Sequence, residues 1–261
     1  MINIPNLEIH LTHSCNLKCE SCSHYSNHGH SGILSLEEAE RWFDLWHKRI
    51  NPKEFSLLGG EPTINPDLVK FVLLSRGYWP EALLRIVTNG FFLHRHPELP
   101  LAMKKVSKAE LYLTIHHNSL EYKEKILANL KLIDDWIKKY RIKVFVYESF
   151  KSWTRRYKGF GSEMEPFEDM QPRLSWENCP AKYCPQLFEG NIWKCAPLAY
   201  LEMQDAKYKL SKKWKPYLKY KPLPIDCSDK QLLDFFNLEE EHYCGMCASK
   251  PRRLKLPLPL A

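Results

Sequence analysis

Cys15, Cys19 and Cys22 form a CxxxCxxC run directly behind the alternating segment Leu7-Glu8-Ile9-His10-Leu11-Thr12, and no other stretch limits the fold so tightly. The alternation and the β-branched residues predict a strand, which places the three thiols in the loop that follows it. A helix is expected from Ser35, with Glu37 and Glu38 in its first turn. Three thiolates this close can hold three irons of a [4Fe–4S] cube and leave the fourth iron open to a small chelating molecule. Structural zinc is the competing reading of the same residues. It wants a fourth ligand at close range, and His13 or His24 would serve.

Two later segments narrow the choice. A second strand, Glu54-Phe55-Ser56-Leu57-Leu58, runs into Gly59-Gly60-Glu61-Pro62. A third, Arg85-Ile86-Val87, ends in Thr88-Asn89-Gly90. With the cysteine loop, these segments resemble the radical S-adenosylmethionine (SAM) superfamily over residues 5–150. The resemblance implies an α/β fold, a partial (β/α)6 TIM-like barrel whose cysteine loop follows the first strand. It implies that Cys15, Cys19 and Cys22 ligate a [4Fe–4S] cluster whose open iron is chelated by SAM. Gly59, Gly60 and Glu61 would then hold the methionyl amino group. Thr88, Asn89 and His116 would lie at the ribose, with His117 as the alternative to His116. Of the basic residues after the fifth strand, Arg155 would meet the SAM carboxylate, and Lys151 or Arg156 would face substrate. Glu148 is a further substrate or base residue. Ser21 departs from the family, which usually has an aromatic there against the adenine; Tyr25 is expected to take that role. The chemistry implied is one-electron cleavage of SAM, release of methionine, and removal of a hydrogen atom from substrate by the 5′-deoxyadenosyl radical. The electron would come from a donor such as flavodoxin or ferredoxin.

The second half carries its own thiols. Cys179-x10-Gly190-x4-Cys195 is followed after a long gap by Cys244-x2-Cys247. Gln186-Leu187-Phe188 and Ile192-Trp193-Lys194 flank Glu189-Gly190-Asn191, which reads as a β-hairpin whose glycine supplies positive φ. This order resembles the twitch domain, the short form of the SPASM extension. The resemblance implies that Cys179, Cys195, Cys244 and Cys247 ligate a second, auxiliary [4Fe–4S] cluster with no open iron. Cys184 competes for the place of Cys179, and Cys227 reads as a buried thiol. A second zinc site and disulfides are the other readings of this half. The expected division is a barrel over residues 1–165 and a twitch domain over residues 166–261.

Strands at 110–115 and 143–147, helices at 102–106 and 120–140, and an irregular stretch at 149–177 complete the expected order. No sixth barrel strand is evident in that stretch. The chain shows no signal peptide and no apolar run long enough to span a bilayer, so a cytoplasmic location without membrane contact is expected. Nine cysteines there read as metal ligands or redox groups. The net charge of +7 concentrates at Lys207–Lys221, where seven lysines interleave with Tyr208, Trp214, Tyr217 and Tyr220. Such a mixture suits nucleic acid, or a wet basic loop whose aromatics cover the auxiliary cluster. The order of thiols is also similar to that of the 2-deoxy-scyllo-inosamine dehydrogenases, which have a twitch domain. The leading expectation is therefore a small polar substrate (a sugar, cyclitol or nucleoside derivative) that is dehydrogenated or epimerised. Peptide modification competes, although the first strand begins too soon after Met1 for the usual peptide-recognition domain. A non-catalytic zinc module that binds nucleic acid is the reading from another class.

Overall fold

The computed structural model describes residues 1–254; the last seven residues of the expected second domain lie outside the described residues. The chain opens with strand β1, Ile2–His10, and the cysteine loop leaves from its C-terminal end. Helix α1, Leu36–Trp46, starts on Ser35, whose side chain accepts from the Glu38 N–H. The alternation continues through β2 (Ile50–Leu58), α2 (Leu68–Tyr78), β3 (Leu83–Thr88), α3 (Leu99–Val106), β4 (Ala109–Ile115), α4 (Leu120–Tyr140) and β5 (Lys143–Glu148). These five strands are parallel, so their C-terminal ends and the loops that follow share one rim.

After β5 the chain makes short turns and helix α5, Pro172–Glu177, before the hairpin of β6 (Gln186–Phe188) and β7 (Asn191–Trp193). Glu189 and Gly190 both have positive φ, 52° and 72°, which is the geometry of a tight two-residue hairpin turn. β6 lies parallel to β1, Glu8 opposite Gln186 and Ile9 opposite Leu187. The sheet order is therefore β5-β4-β3-β2-β1-β6-β7. The missing sixth parallel strand is the first arm of the hairpin. It joins the sheet at the β1 edge, while the β5 edge stays open, so the sheet is an open, mostly parallel partial barrel.

Packing crosses residue 165 in the same way. The larger core gathers Leu7, Phe55, Leu84 and Leu111 with Leu187, Ile192, Leu223 and Leu232. A second core joins Tyr25, Tyr157 and Met164 to Trp193, Tyr200, Trp214 and Tyr217. The expected boundary is thus no boundary in the packing: residues after 165 complete the barrel sheet as well as carrying the second thiol set. Short helices α6 (Ala196–Ala199) and α7 (Leu201–Tyr208) follow the hairpin, and α8 (Asp229–Asn237) begins in a capping box on Ser228.

Candidate active site

The first thiol set is held by backbone contact with the end of β2. The Gly60 N–H donates to Thr12 O and the Glu61 N–H to Ser14 O, both at 2.8 Å. A Cβ at Gly59 would stand 2.4 Å from Thr12 O, and one at Gly60 would stand 2.2 Å from Ser14 O. Only glycine lets the two strand ends approach this closely. Asn89 closes the third side. Its side-chain amide donates to Asn16 Oδ1 at 2.8 Å and points at Cys15 Sγ at 3.8 Å.

The Glu61 carboxylate is buried and accepts from the Thr63 N–H (3.1 Å), Thr63 Oγ1 (2.5 Å), Thr88 Oγ1 (2.5 Å) and the Asn89 N–H (2.7 Å). Burial raises its pKa, and these donors oppose the rise. The side chain is therefore a clamp between the ends of β2 and β3: Oε1 takes three of these donors and Oε2 takes one, the Asn89 N–H. Thr88 belongs to the same clamp, since its hydroxyl also accepts from the Gly90 N–H.

Tyr25, Arg155 and His116 have the following surroundings. Tyr25 is 1% exposed, sits in the second core, and donates to Pro197 O at 3.2 Å. Its ring packs beside Tyr157 and His28, with centroids 5.4 and 6.3 Å away. Arg155 is ion-paired with Glu20 in the cysteine loop, so its charge is already met. His116 stands at the end of β4 with both ring nitrogens engaged, by Thr114 Oγ1 at 2.9 Å and Ser149 Oγ at 3.2 Å. Burial lowers its pKa to about 4, so it is a neutral, fixed group. Its neighbour His117 is different. Nδ1 accepts from the Ser119 N–H, while the buried Nε2 has no partner among the described residues, and neither has Asn118 Oδ1. Glu148 and Lys151 pair with each other at the surface.

The thiols themselves suit a metal cluster. Burial pushes Cys15 up to about 12 and raises Cys19 and Cys22 too; Cys19 also feels the charge of both other thiols, and Cys15 that of Cys22. As free thiols they would be neutral; a bound cation would deprotonate them. His13 and His24 each turn a ring nitrogen to His10, at 3.3 and 2.5 Å, and the imidazoles pack around Tyr200. Those nitrogens are thereby withdrawn from a zinc site at the thiols.

The second thiol set comes from three places in the chain. Cys179 follows α5, Cys195 follows β7, Cys244 lies in the turn His242–Met246, and Cys247 caps the end of that turn. All four line one cavity of about 40 Å³ with Ser175, Lys194 and Tyr243. Cys184 is outside it, with its thiol against buried Glu8. Cys227 is a buried thiol in the larger core, where Arg49 contacts its sulfur at 3.4 Å. All nine cysteines are free, with no disulfide. In the lysine-rich segment Trp214, Tyr217 and Tyr220 point inward and are buried, which leaves the lysines but not these rings to solvent.

The model of the radical SAM superfamily matches residues 9–160, more than half of the 261 residues, and the protein belongs to that superfamily. Among curated relatives, the GTP 3′,8-cyclase of Campylobacter fetus subsp. fetus (strain 82-40) is 32% identical over 93 residues, 34% of this chain and 29% of the relative. The probable GTP 3′,8-cyclase of Pyrococcus horikoshii is 28% identical over 137 residues, 52% of this chain and 41% of the relative. The chain thus spans less than half the length of these relatives. Among solved structures, BtrN in complex with AdoMet and 2-DOIA aligns over 90% of this chain and 83% of its own, with 15% identity and a TM-score of 0.49. Streptococcus suis SuiB bound to precursor peptide SuiA aligns over 84% and 67%, with 14% identity and a TM-score of 0.44.

Proposed function

We propose that this radical SAM enzyme oxidises or epimerises a small polar molecule, a sugar, cyclitol or nucleoside derivative, between two [4Fe–4S] clusters. In this reading Cys15, Cys19 and Cys22 hold the SAM-binding cluster, and Cys179, Cys195, Cys244 and Cys247 hold the auxiliary one. The observation that carries it is the meeting of four distant thiols around one cavity, in a chain whose first thiol triplet lies at the barrel rim. When bound, SAM and its reduced cluster supply the hydrogen-abstracting radical.

The chain's own residues do the positioning. Gly59 and Gly60 bring the β2 backbone against the cysteine loop, and Asn89 fixes that loop from β3. Glu61 holds the two strand ends in register through Oε1 and the Asn89 N–H, and with the Gly59-Gly60 backbone it would meet the methionyl amino group through Oε2. His117 Nε2 and Asn118 Oδ1 are the buried polar atoms still able to take a ligand at the end of β4. Cys195 and Cys247 pack against the second core, which includes Tyr217, Tyr220 and Met246. A flavodoxin- or ferredoxin-type donor and a cytoplasmic setting complete the proposal. No helix among the described residues is long and apolar enough to cross a membrane.

A second reading, rearrangement or ring closure on a nucleotide, is favoured by the names of the curated relatives. The test is anaerobic reconstitution. Two such clusters bring about eight irons and eight sulfides. Dithionite-reduced protein should release 5′-deoxyadenosine. Ala at Cys15, Cys19 or Cys22 should abolish that release, whereas Ala at Cys195 or Cys247 should lose about half of the iron and keep some release while blocking product. A colourless protein that binds zinc and never cleaves SAM would refute the reading.

A further inference from the structure

One cavity of about 150 Å³ borders both thiol-bearing segments. Ser21 and Ser23 of the cysteine loop form one wall, Ser149, Ser152, Thr154 and Arg156 of the segment after β5 form another, and Pro180, next to Cys179, closes it. Its chemistry is one-sided. No lining residue carries a carboxylate. Arg156 is half-buried, and its guanidinium has no acidic partner among the described residues, whereas Arg155 beside it is paired with Glu20. The backbone holds Arg156 in place, since its N–H donates to Ser21 Oγ at 2.7 Å. Ser21 and Ser149 spend their hydroxyls on neighbours, Ser21 on Tyr157 O and Ser149 on Ile115 O. Those of Ser23 and Thr154 have no partner among the described residues.

Building on the radical SAM reading, we propose that Arg156 is a specificity-determining residue that anchors a phosphate monoester of the substrate in this cavity. A guanidinium offers a planar fork to two phosphate oxygens, and the hydroxyls of Ser23 and Thr154 supply donors for the third. A phosphate monoester brings a third oxygen and a second negative charge, so the hydroxyls need not share the two oxygens that the guanidinium takes. A neutral polyol would leave the guanidinium buried against it without a counter-charge.

The test is equilibrium dialysis of radiolabelled inorganic phosphate against anaerobic, SAM-saturated holoenzyme, with 5′-deoxyadenosine release measured on the same samples. Phosphate should bind with SAM present, and acetate at the same concentration should not displace it. R156Q should weaken phosphate binding about tenfold or more, R156K by less, and R155Q hardly at all, with SAM affinity unchanged in each. Should R156Q fail to load its clusters, phosphate should still protect Arg156 of the wild-type holoenzyme from phenylglyoxal, read by peptide mass. Absence of phosphate binding, equal binding of acetate, displacement of phosphate by SAM, or loss of SAM affinity in R156Q would overturn the anchor. 5′-Deoxyadenosine release by the wild-type protein reads the radical SAM reading separately from phosphate binding, so the anchor can fail while that reading stands, and the reverse.

Discussion

Glu61 illustrates how a single side chain can do more than the role its motif suggests. A buried carboxylate with four donors is a structural tie, and replacing it tests the tie directly. In Glu61→Gln the amide nitrogen must face at least one N–H or hydroxyl donor, which should cost about 1–3 kcal/mol of stability. Urea unfolding reads the cost, and unchanged stability would show that the carboxylate is not clamped. The motif itself was legible because Gly-Gly-Glu-Pro is a run of adjacent residues. The partners of the carboxylate were not, since Thr88 and Asn89 lie 27 and 28 residues away on another strand. Tyr25 makes the same point about distant partners. Its position in the cysteine loop suggested an adenine platform, but nothing local announces Pro197, 172 residues on, which receives its hydroxyl.

At the level of elements, the hairpin was readable in detail and its neighbour was not. Glu189-Gly190 between two apolar runs specifies a tight turn through backbone conformation alone. Gly190→Val forces a β-branched residue to φ +72° and should cost about 1–2 kcal/mol. Because β6 carries Leu187 against β1, the loss should appear as a drop in the midpoint of the whole unfolding transition rather than local fraying. A drop confined to hydrogen exchange within the hairpin would contradict the shared sheet. That β6 pairs with β1 could not be read from its three residues. The pairing depends on Glu8 meeting Gln186, whose side-chain amide donates to Glu8 at 2.6 Å.

For the whole molecule, two predictions concern conditions rather than substitutions. His28 and His116 are held near pKa 4 by burial, against an ordinary value near 6.5. Each is neutral when folded and gains a proton once unfolded, so the unfolded chain binds more protons at pH between those values. Stability from these groups is full above about pH 6.5 and is lost as pH falls toward 4. Denaturation midpoints between pH 7.5 and 4.5, with H116Q and H28Q each flattening the slope, would check this; an unchanged slope would refute it. Removing iron is the second. Four thiols from three segments surround one cavity, so a metal bound there links α5, the hairpin and the Cys244–Cys247 turn. Chelated protein should melt at lower temperature and lose near-ultraviolet dichroism from Trp193, Trp214 and Tyr217 while the barrel keeps its far-ultraviolet signal. Identical melting with and without iron would argue against a cluster in that cavity.

Residues 1–148 largely determined their own arrangement. Alternating strands, capped helices and glycine-rich strand ends are local signals, and parallel strands joined by helices have few ways to assemble. The sequence alone also determined that two groups of thiols exist. Only the tertiary structure decided their membership: Cys179 reaches the shared cavity, and Cys184, five residues later, turns to Glu8 on β1. That choice depends on long-range packing, whose free energy comes from surfaces contributed by residues far apart in the chain, so no spacing between neighbours can report it.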